Sequence, residues 1–188
     1  MPQSDKPVEA REGEESGLAF DRRWHLAQTE HEVNLSELEF ALMRVERAFE
    51  RWESECFAAA SGLTLSGSEN ALLHVILLHE RAKPLKDLVR LTNRDDIPNL
   101  QYALRKLIKL GMVRQSGARS NAVYEVTDLG RQATDRYAEL RAQLLTEFTG
   151  SVTGFDQQLR QSTQTLNLLS GIYDQAARIV ATHQRVSS

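Results

Sequence analysis

The sequence has a single cysteine, no long hydrophobic run and no apolar leader. Cys56 is the one cysteine among 188 residues, which excludes an internal disulfide framework and suits a reducing cytoplasm. The longest hydrophobic run, Ala71–Leu78, is broken by His74 and is far shorter than the roughly 20 residues of a membrane helix. The first 17 residues are acidic and polar, unlike a secretion signal. We therefore expect a cytoplasmic protein with no membrane span.

Signatures of enzymes and of metal sites are also missing. The chain has no P-loop, no glycine-rich dinucleotide fingerprint and no nucleophile elbow. No spacing among the five histidines, or between them and Cys56, matches a zinc site. Cys56 falls on the apolar face of a predicted helix near Trp52, so we interpret it as buried packing rather than a redox sensor. We expect no catalytic residue, no metal and no cofactor, and an enzyme with an unrecognised helical site is the least favoured class.

Hydrophobic spacing predicts a mainly helical chain. Asn34–Glu37 has the residues of a capping box at the start of a helix that lasts to about Ala60, and Ser66–Glu69 repeats that pattern. Asp95 or Asp96 can cap a later helix that has Pro98 in its first turn. The second predicted helix begins at the Ser66–Glu69 box and ends near His79, and the other predicted helices are about 34–60, 85–91, 97–110, 128–148 and 155–182.

Two strand-like segments, Met112–Gln115 and Ala122–Thr127, follow the fourth helix and are joined by a short polar loop. A helix pair with a tight turn, followed by a β-hairpin, is the winged helix-turn-helix arrangement. The chain from Arg81 to Arg119 holds ten Lys or Arg and three Asp, a net charge of +7 in a protein of −3. Such a basic segment indicates a polyanionic partner, here double-stranded DNA, rather than a merely solvated face.

The fourth helix is the candidate recognition helix. Its apolar face is predicted to be Ile97, Leu100, Leu104, Leu107 and Ile108. Its opposite face carries amide, aromatic and cationic side chains, which contact bases and phosphates in a major groove. We predict phosphate contacts from Arg94, Arg105, Lys106, Lys109 and Arg114, the alternative being general solubility. Adenine contacts are predicted from Asn99 and, closer to the core face, Gln101. Tyr102 either touches a phosphate or a thymine methyl or packs at the helix edge.

The first, fifth and sixth predicted helices lie outside the DNA-binding unit. In the last one Leu159, Leu166, Tyr173 and Val180 stand seven residues apart, a seam that suits packing against another long helix. We interpret these helices as a dimer interface, because a dimer would present two recognition helices to a two-fold operator. Packing within a monomeric bundle is the alternative.

Three motifs carry a resemblance to the MarR family of bacterial transcriptional regulators: Pro84–Val89, Leu104–Val113 and Tyr124–Gly130. The resemblance covers roughly residues 35 to 148. It implies a cytoplasmic homodimer with interlocked terminal helices and recognition helices in successive major grooves. It also implies repression, with release by a small aromatic effector or by oxidation.

The chain departs from the family at two places. The wing lacks the Asp-x-Arg that members commonly carry, so Arg119 is only a positional candidate for a minor-groove contact. Asp95 and Asp96 stand where carboxylates repel phosphates, unless they cap the helix or accept from cytosine N4.

The predicted fold class is mainly α, with a winged helix-turn-helix unit, a small β-hairpin wing and long terminal helices. The predicted organisation is a disordered acidic tail (1–17), an arm and dimerisation helix (18–62), the DNA-binding domain (63–127) and C-terminal dimerisation helices (128–188). The function indicated is a sequence-specific transcriptional regulator. The competing hypothesis is a winged-helix interaction module that has lost specific DNA binding.

Overall fold

The computed structural model describes residues 25–118 and 121–184. The predicted acidic tail, residues 18–24 of the predicted arm and Arg119 lie outside these residues. The helices are α1 (Glu30–Ser61), α2 (Gly67–Leu77), α3 (Leu85–Thr92), α4 (Ile97–Lys109), α5 (Asp128–Arg141), α6 (Glu147–Gly150) and α7 (Phe155–Gln184). The strands are β1 (Lys83–Pro84), β2 (Val113–Ser116) and β3 (Val123–Val126). The chain divides into two compact units, one ending at Arg47 and the other beginning at Ala48.

The described part of the first unit is the start of α1 and the turn before it. A reciprocal capping box closes this end: the Glu32 amide donates to Thr29 Oγ1 at 3.3 Å, and the Thr29 amide donates to Glu32 Oε2 at 2.8 Å. The Gln28 amide, at 2.8 Å, and the Thr29 amide both donate to Glu32 Oε2, and these bonds hold the pKa of the Glu32 carboxyl below its usual value. The predicted start at Asn34 is therefore wrong by four residues, because the Thr29–Glu32 pair satisfies the first N–H groups before Asn34 is reached.

The second unit has a core of leucines from α2, α3 and α4. Leu72, Leu88, Leu100 and Leu104 are fully or almost fully buried. The capping box predicted at Ser66–Glu69 is confirmed, since the Glu69 amide donates to Ser66 Oγ at 3.2 Å and the Ser66 amide donates to Glu69 Oε2 at 2.9 Å. This box fixes where α2 begins.

Lys83 is buried, although it belongs to the basic segment seen in the sequence. Its ammonium donates to the carbonyl oxygens of Ile76 at 2.8 Å and Arg81 at 3.1 Å, and also to that of Leu78. Burial lowers the pKa of this amine from its ordinary value, and the three carbonyls satisfy its donors. Lys83 therefore closes the C-terminal end of α2 and is not available to a ligand.

The three strands form one antiparallel sheet in the order β1-β3-β2. In the hairpin, Val113 pairs with Val126 and Ser116 with Val123. Thr127 then ties the hairpin to its neighbours: its hydroxyl donates to the Gly111 carbonyl at 2.6 Å and accepts from the Gly130 amide at 3.1 Å. One side chain thus joins the end of α4, the end of the wing and the start of α5.

The chain beyond α5 continues as a π-helical turn, Ala142–Thr146, and then as α6, so that the helical path ends at Gly150. The prediction was one helix to about Phe148, which agrees in length but not in the π-helical turn. The last helix, α7, is 30 residues long, and nearly all of its described side chains are exposed.

Candidate nucleic-acid interface

Helix α4 has one buried face and one exposed face. Leu100, Ala103, Leu104 and Leu107 are buried, as expected from a 3.6-residue period. Among the predicted contacts, the exposed side chains are Asn99, Gln101, Tyr102, Arg105 and Lys109. Ile97 lies on the same face of α4 by helical spacing, but it is 44 % exposed, so this face is buried only from Leu100 onward.

Arg94 and Asp96 form a two-pronged ion pair just before α4. Arg94 Nε donates to Asp96 Oδ1 at 2.8 Å, and Arg94 Nη2 donates to Oδ2 at 2.8 Å. Asn99 Nδ2 also donates to Asp96 Oδ2, at 3.1 Å. The Arg94 and Asn99 bonds lower the pKa of the Asp96 carboxyl to about 2. The carboxylate therefore stays ionised, and its charge is neutralised inside the protein by a paired guanidinium.

Asp96 occupies the capping position of α4, but its side chain accepts no backbone N–H of the helix. The prediction that Asp95 or Asp96 caps the helix therefore fails at the level of the side chain. The physical reason is competition, since the Asp96 carboxylate is already engaged by charged and amide donors. The charge of Arg94 is likewise engaged, and its side chain is only 23 % exposed.

Lys106 also has a partner within the protein. Its ammonium lies 2.6 Å from Glu69 Oε2, the same oxygen that accepts from the Ser66 amide. The Glu69 side chain is 9 % exposed and that of Lys106 is 35 % exposed. A half-buried ion pair of this kind holds the recognition helix against the N-terminal end of α2.

Two of the predicted cations, Arg114 and Arg119, belong to the wing. Arg114, in β2, donates through Nη2 to Glu125 Oε2 of β3 at 2.8 Å, and both side chains are exposed. This cross-strand pair lies in the hairpin, where salt and solvent weaken it. Arg119 lies outside the described residues.

A groove of about 840 Å³ runs between the start of α3, the outer side of α4 and the wing. Gln101 and Arg105 line it from α4, Lys86 from α3, and Gln115 and Asn121 from the wing. The structure thus brings two predicted residues, Gln101 and Arg105, together with Lys86. In the sequence Lys86 is recognisable only as part of the basic segment, because no motif shows which face of α3 borders the wing.

A protein-family model described as "Winged helix DNA-binding domain" matches residues 65–130 of this chain. Residues 65–130 form a winged helix domain. Within it α4 is the recognition helix and the β2–β3 hairpin is the wing. The glycine at the end of this match, Gly130, is required by space: a Cβ there would overlap the Met112 carbonyl oxygen and lie 2.8 Å from Val126 Cγ1.

Several solved structures resemble the chain over most of its length. The regulator BldR from Sulfolobus solfataricus is 17 % identical with a TM-score of 0.59, covering 74 % of this chain and 99 % of that one. A MarR-family transcriptional regulator from Rhodococcus sp. RHA1 is 18 % identical with a TM-score of 0.55, covering 74 % and 97 %. CouR from Rhodococcus jostii RHA1, solved with p-coumaroyl-CoA, is 16 % identical with a TM-score of 0.52, covering 70 % and 92 %.

At these identities the likeness establishes the fold. The chain has the fold of the MarR-family regulators, and the predicted fold class, mainly helical with a winged helix unit, is confirmed. No curated protein matches the chain in sequence. Within residues 25–118 and 121–184, no helix is long and apolar enough to cross a membrane.

A cluster of buried polar side chains lies behind the winged helix domain, between α1, α2 and α5. The His74 ring lies 4.7 Å from the Tyr137 ring, and the Trp52 ring lies 6.4 Å from it. Trp52 Nε1, His74 Nε2 and both polar atoms of the Asn70 amide are buried with no hydrogen-bond partner in the described part of the chain. Burial lowers the pKa of His74, and the positive charge of Arg141 lowers it further.

Cys56 lies beside this cluster and is 5 % exposed. Its Sγ lies 4.0 Å from the Tyr137 carbonyl oxygen, and burial raises the pKa of the thiol. This is the setting of a packing residue, as interpreted from the sequence, because a thiol that senses oxidants needs access and a depressed pKa. Among the described residues, no three His, Cys, Asp or Glu side chains are arranged to hold a metal ion.

Proposed function

We propose that this chain is a cytoplasmic, sequence-specific DNA-binding transcriptional regulator of the MarR type, which binds a pseudo-palindromic operator as a homodimer and represses transcription. The observation that carries the proposal is the exposed face of α4. Asn99, Tyr102 and Arg105 project from a helix whose other face is buried, and Lys86 lies across the adjoining groove. Amide and aromatic groups at the centre with cations beside them suit base contacts flanked by phosphate contacts.

Ion pairing divides the predicted cations into two groups. Arg94, Lys106 and Arg114 each bond a carboxylate, so we assign them to positioning the helix and the wing. Arg105 and Lys109, by contrast, have no carboxylate partner within residues 25–118 and 121–184. We therefore assign phosphate neutralisation to Arg105 and Lys109.

Fluorescence anisotropy tests the proposal, with the purified protein titrated on its own upstream DNA and on a scrambled duplex across a salt series. We expect tight binding to the first duplex only, and a logarithm of affinity that falls linearly with the logarithm of salt. Arg105→Ala should lower the slope by about one. The matched control is Arg136→Ala, an exposed arginine of α5 outside the groove, which should leave the slope unchanged. Equal, weak binding to both duplexes would instead favour the interaction-module hypothesis.

The homodimer is supported by the exposed apolar seam of α7. Leu159, Leu166 and Tyr173 are 47 %, 41 % and 38 % exposed, and Val180 is 55 % exposed. A repeated apolar seam along a 30-residue helix needs a covering partner in water, and a second copy of the same helix supplies one with the same periodicity.

A small aromatic effector is the last part of the proposal. The CouR structure contains p-coumaroyl-CoA, an aromatic acyl thioester. In this chain the cluster of Trp52, Asn70, His74 and Tyr137 brings aromatic rings together with buried polar atoms. A panel of aromatic acids added to the protein–DNA complex tests this part. An effector should release the protein and lower the anisotropy of the labelled duplex, and no change with any acid would contradict this part of the proposal.

A further inference from the structure

Asp96 is the hub of three hydrogen bonds at the start of the recognition helix. Two come from Arg94, each at 2.8 Å, and the third comes from Asn99 Nδ2 at 3.1 Å. Asn99 is exposed on α4, whereas the Arg94 side chain is 23 % exposed. Arg94 therefore anchors the carboxylate from the protein side, and the carboxylate in turn holds the amide of Asn99.

The chemistry of the two groups fixes how that amide is turned. An ionised carboxylate only accepts hydrogen bonds, so Asn99 must present its NH₂ group to Asp96 and direct its carbonyl oxygen elsewhere. The NH₂ group has two hydrogens, of which one is needed for Asp96. The other N–H hydrogen and the carbonyl oxygen of the Asn99 amide remain available as a donor and an acceptor in the plane of the amide.

A donor–acceptor pair of this kind matches adenine. In the major groove adenine offers an acceptor at N7 and a donor at N6, and an asparagine amide can bond both at once. A free amide rotates by half a turn and exchanges its two ends, so it offers the pair in either order. An amide held by a carboxylate offers it in one order only, which selects one placement of adenine relative to the helix.

We propose that Asp96 is a positioning residue that holds the Asn99 amide in the orientation that reads adenine, and so helps to set base specificity. This inference rests on the proposed DNA-binding function. It also gives a role to a carboxylate that would otherwise only repel phosphates, since the two-pronged pair with Arg94 compensates its charge.

Selection of bound duplexes from a random library tests the inference. Wild-type protein, Asn99→Ala, Asp96→Ala and Asp96→Asn are each used, and base preferences are read at every position of the selected motif. Preferences are ratios among bound sequences, so a uniform loss of affinity does not alter them. The Asp96 side chain is 40 % exposed, so its substitution should leave the core intact. Circular dichroism of each variant checks that the fold is retained.

Wild-type protein should select a motif with adenine at one position of each half-site, and Asn99→Ala should lose that preference. Asp96→Ala should lose it at the same position, on the order of tenfold, the size of a good two-bond base contact. Asp96→Asn puts an NH₂ group in place of one of the two accepting oxygens, so it should weaken the preference at that position, whereas a purely electrostatic role of Asp96 would change affinity and leave the preference unchanged. In the Asn99→Ala background, Asp96→Ala should have no further effect at that position.

Two results would overturn the inference. One is that Asp96→Ala keeps the wild-type preference while Asn99→Ala loses it. The other is that Asn99→Ala changes no preference at all. Failure of the wild-type protein to select any motif would reject the proposed function itself, and is recognisable because it precedes any comparison of variants.

Discussion

Glu53 is a carboxyl group buried in the interior of the second unit, where its residue is 7 % exposed. Burial, and after it the nearby charge of Glu50, raise the pKa of Glu53 from 4.5 to about 7, while the Asn70 amide acts in the opposite direction. A folded-state pKa above the unfolded value means that the native protein holds this proton more tightly. The stability of the protein therefore falls as the pH rises from about 4.5 to about 7.

Glu53→Gln should remove that loss, because glutamine has the shape of the protonated acid and carries no charge. One pKa unit corresponds to about 1.4 kcal/mol. The shift from 4.5 to about 7 therefore costs the wild-type protein about 3 kcal/mol at pH 8, where Glu53 is ionised in both states. At pH 5 the corresponding loss is about 1 kcal/mol. The variant should thus gain about 2 kcal/mol more at pH 8 than at pH 5.

Urea denaturation followed by circular dichroism measures this difference. Both proteins are unfolded at pH 5 and pH 8 at one fixed concentration, since self-association makes apparent stability depend on concentration. The comparison with wild type removes the contribution of His74, whose lowered pKa has the opposite effect and reduces stability as the pH falls below about 6.5. Glu55→Gln, an exposed glutamate of the same helix, is the control.

An equal stability difference at the two pH values would refute this reasoning. It would mean that Glu53 ionises in the folded protein as it does in the unfolded chain, through water that reaches the carboxyl. A variant less stable than wild type at pH 8 would refute it as well, because it would show that the charged form is the favoured one.

Two further predictions concern packing and assembly. Gly130→Ala should lower the free energy of unfolding by about 2–3 kcal/mol, because the added Cβ would meet the backbone carbonyl oxygen of Met112. At Gly150 an added Cβ has no atom within 4 Å, so Gly150→Ala is the control and should be neutral. Thermal melts of both variants measure the difference. Sedimentation equilibrium should give twice the chain mass of 21.3 kDa, and Leu166→Asp should shift it toward one chain while Gln164→Asp, about 200° around α7, should not. A single-chain mass for the wild type would refute the dimer.

Local patterns in the sequence predicted the elements that depend on neighbours along the chain. The capping box at Ser66 and Glu69 and the buried face of α4 follow from spacing alone. The start of α1 was placed wrongly, because Asn34–Glu37 and Thr29–Glu32 offer the same residue types and spacing does not rank them. The fold class could also be predicted from the sequence, because the spacing of apolar residues identifies each helix and strand separately.

The candidate interface depended more on distant contacts. Lys106 was predicted as a phosphate contact from its place on the helix wheel, but it pairs with a glutamate 37 residues earlier in the chain. Lys83 counted as surface charge in the sequence and is buried on three carbonyls. Long-range partners of this kind leave no local spacing, so a charge sum over the segment does not separate free cations from paired ones.

Thr127 links the recognition helix and the wing to α5. It bonds the carbonyl at the end of α4 and accepts from the first turn of α5, while its own amide donates to the Met112 carbonyl beside the wing, at 3.0 Å. The recognition helix and the wing are therefore fastened at one point to the helix that carries Tyr137. We therefore expect a rotation of α5 to move the recognition helix and the wing together, with little change in the spacing between them. Helix α4 and the wing would then bind a duplex, or dissociate from it, as one unit.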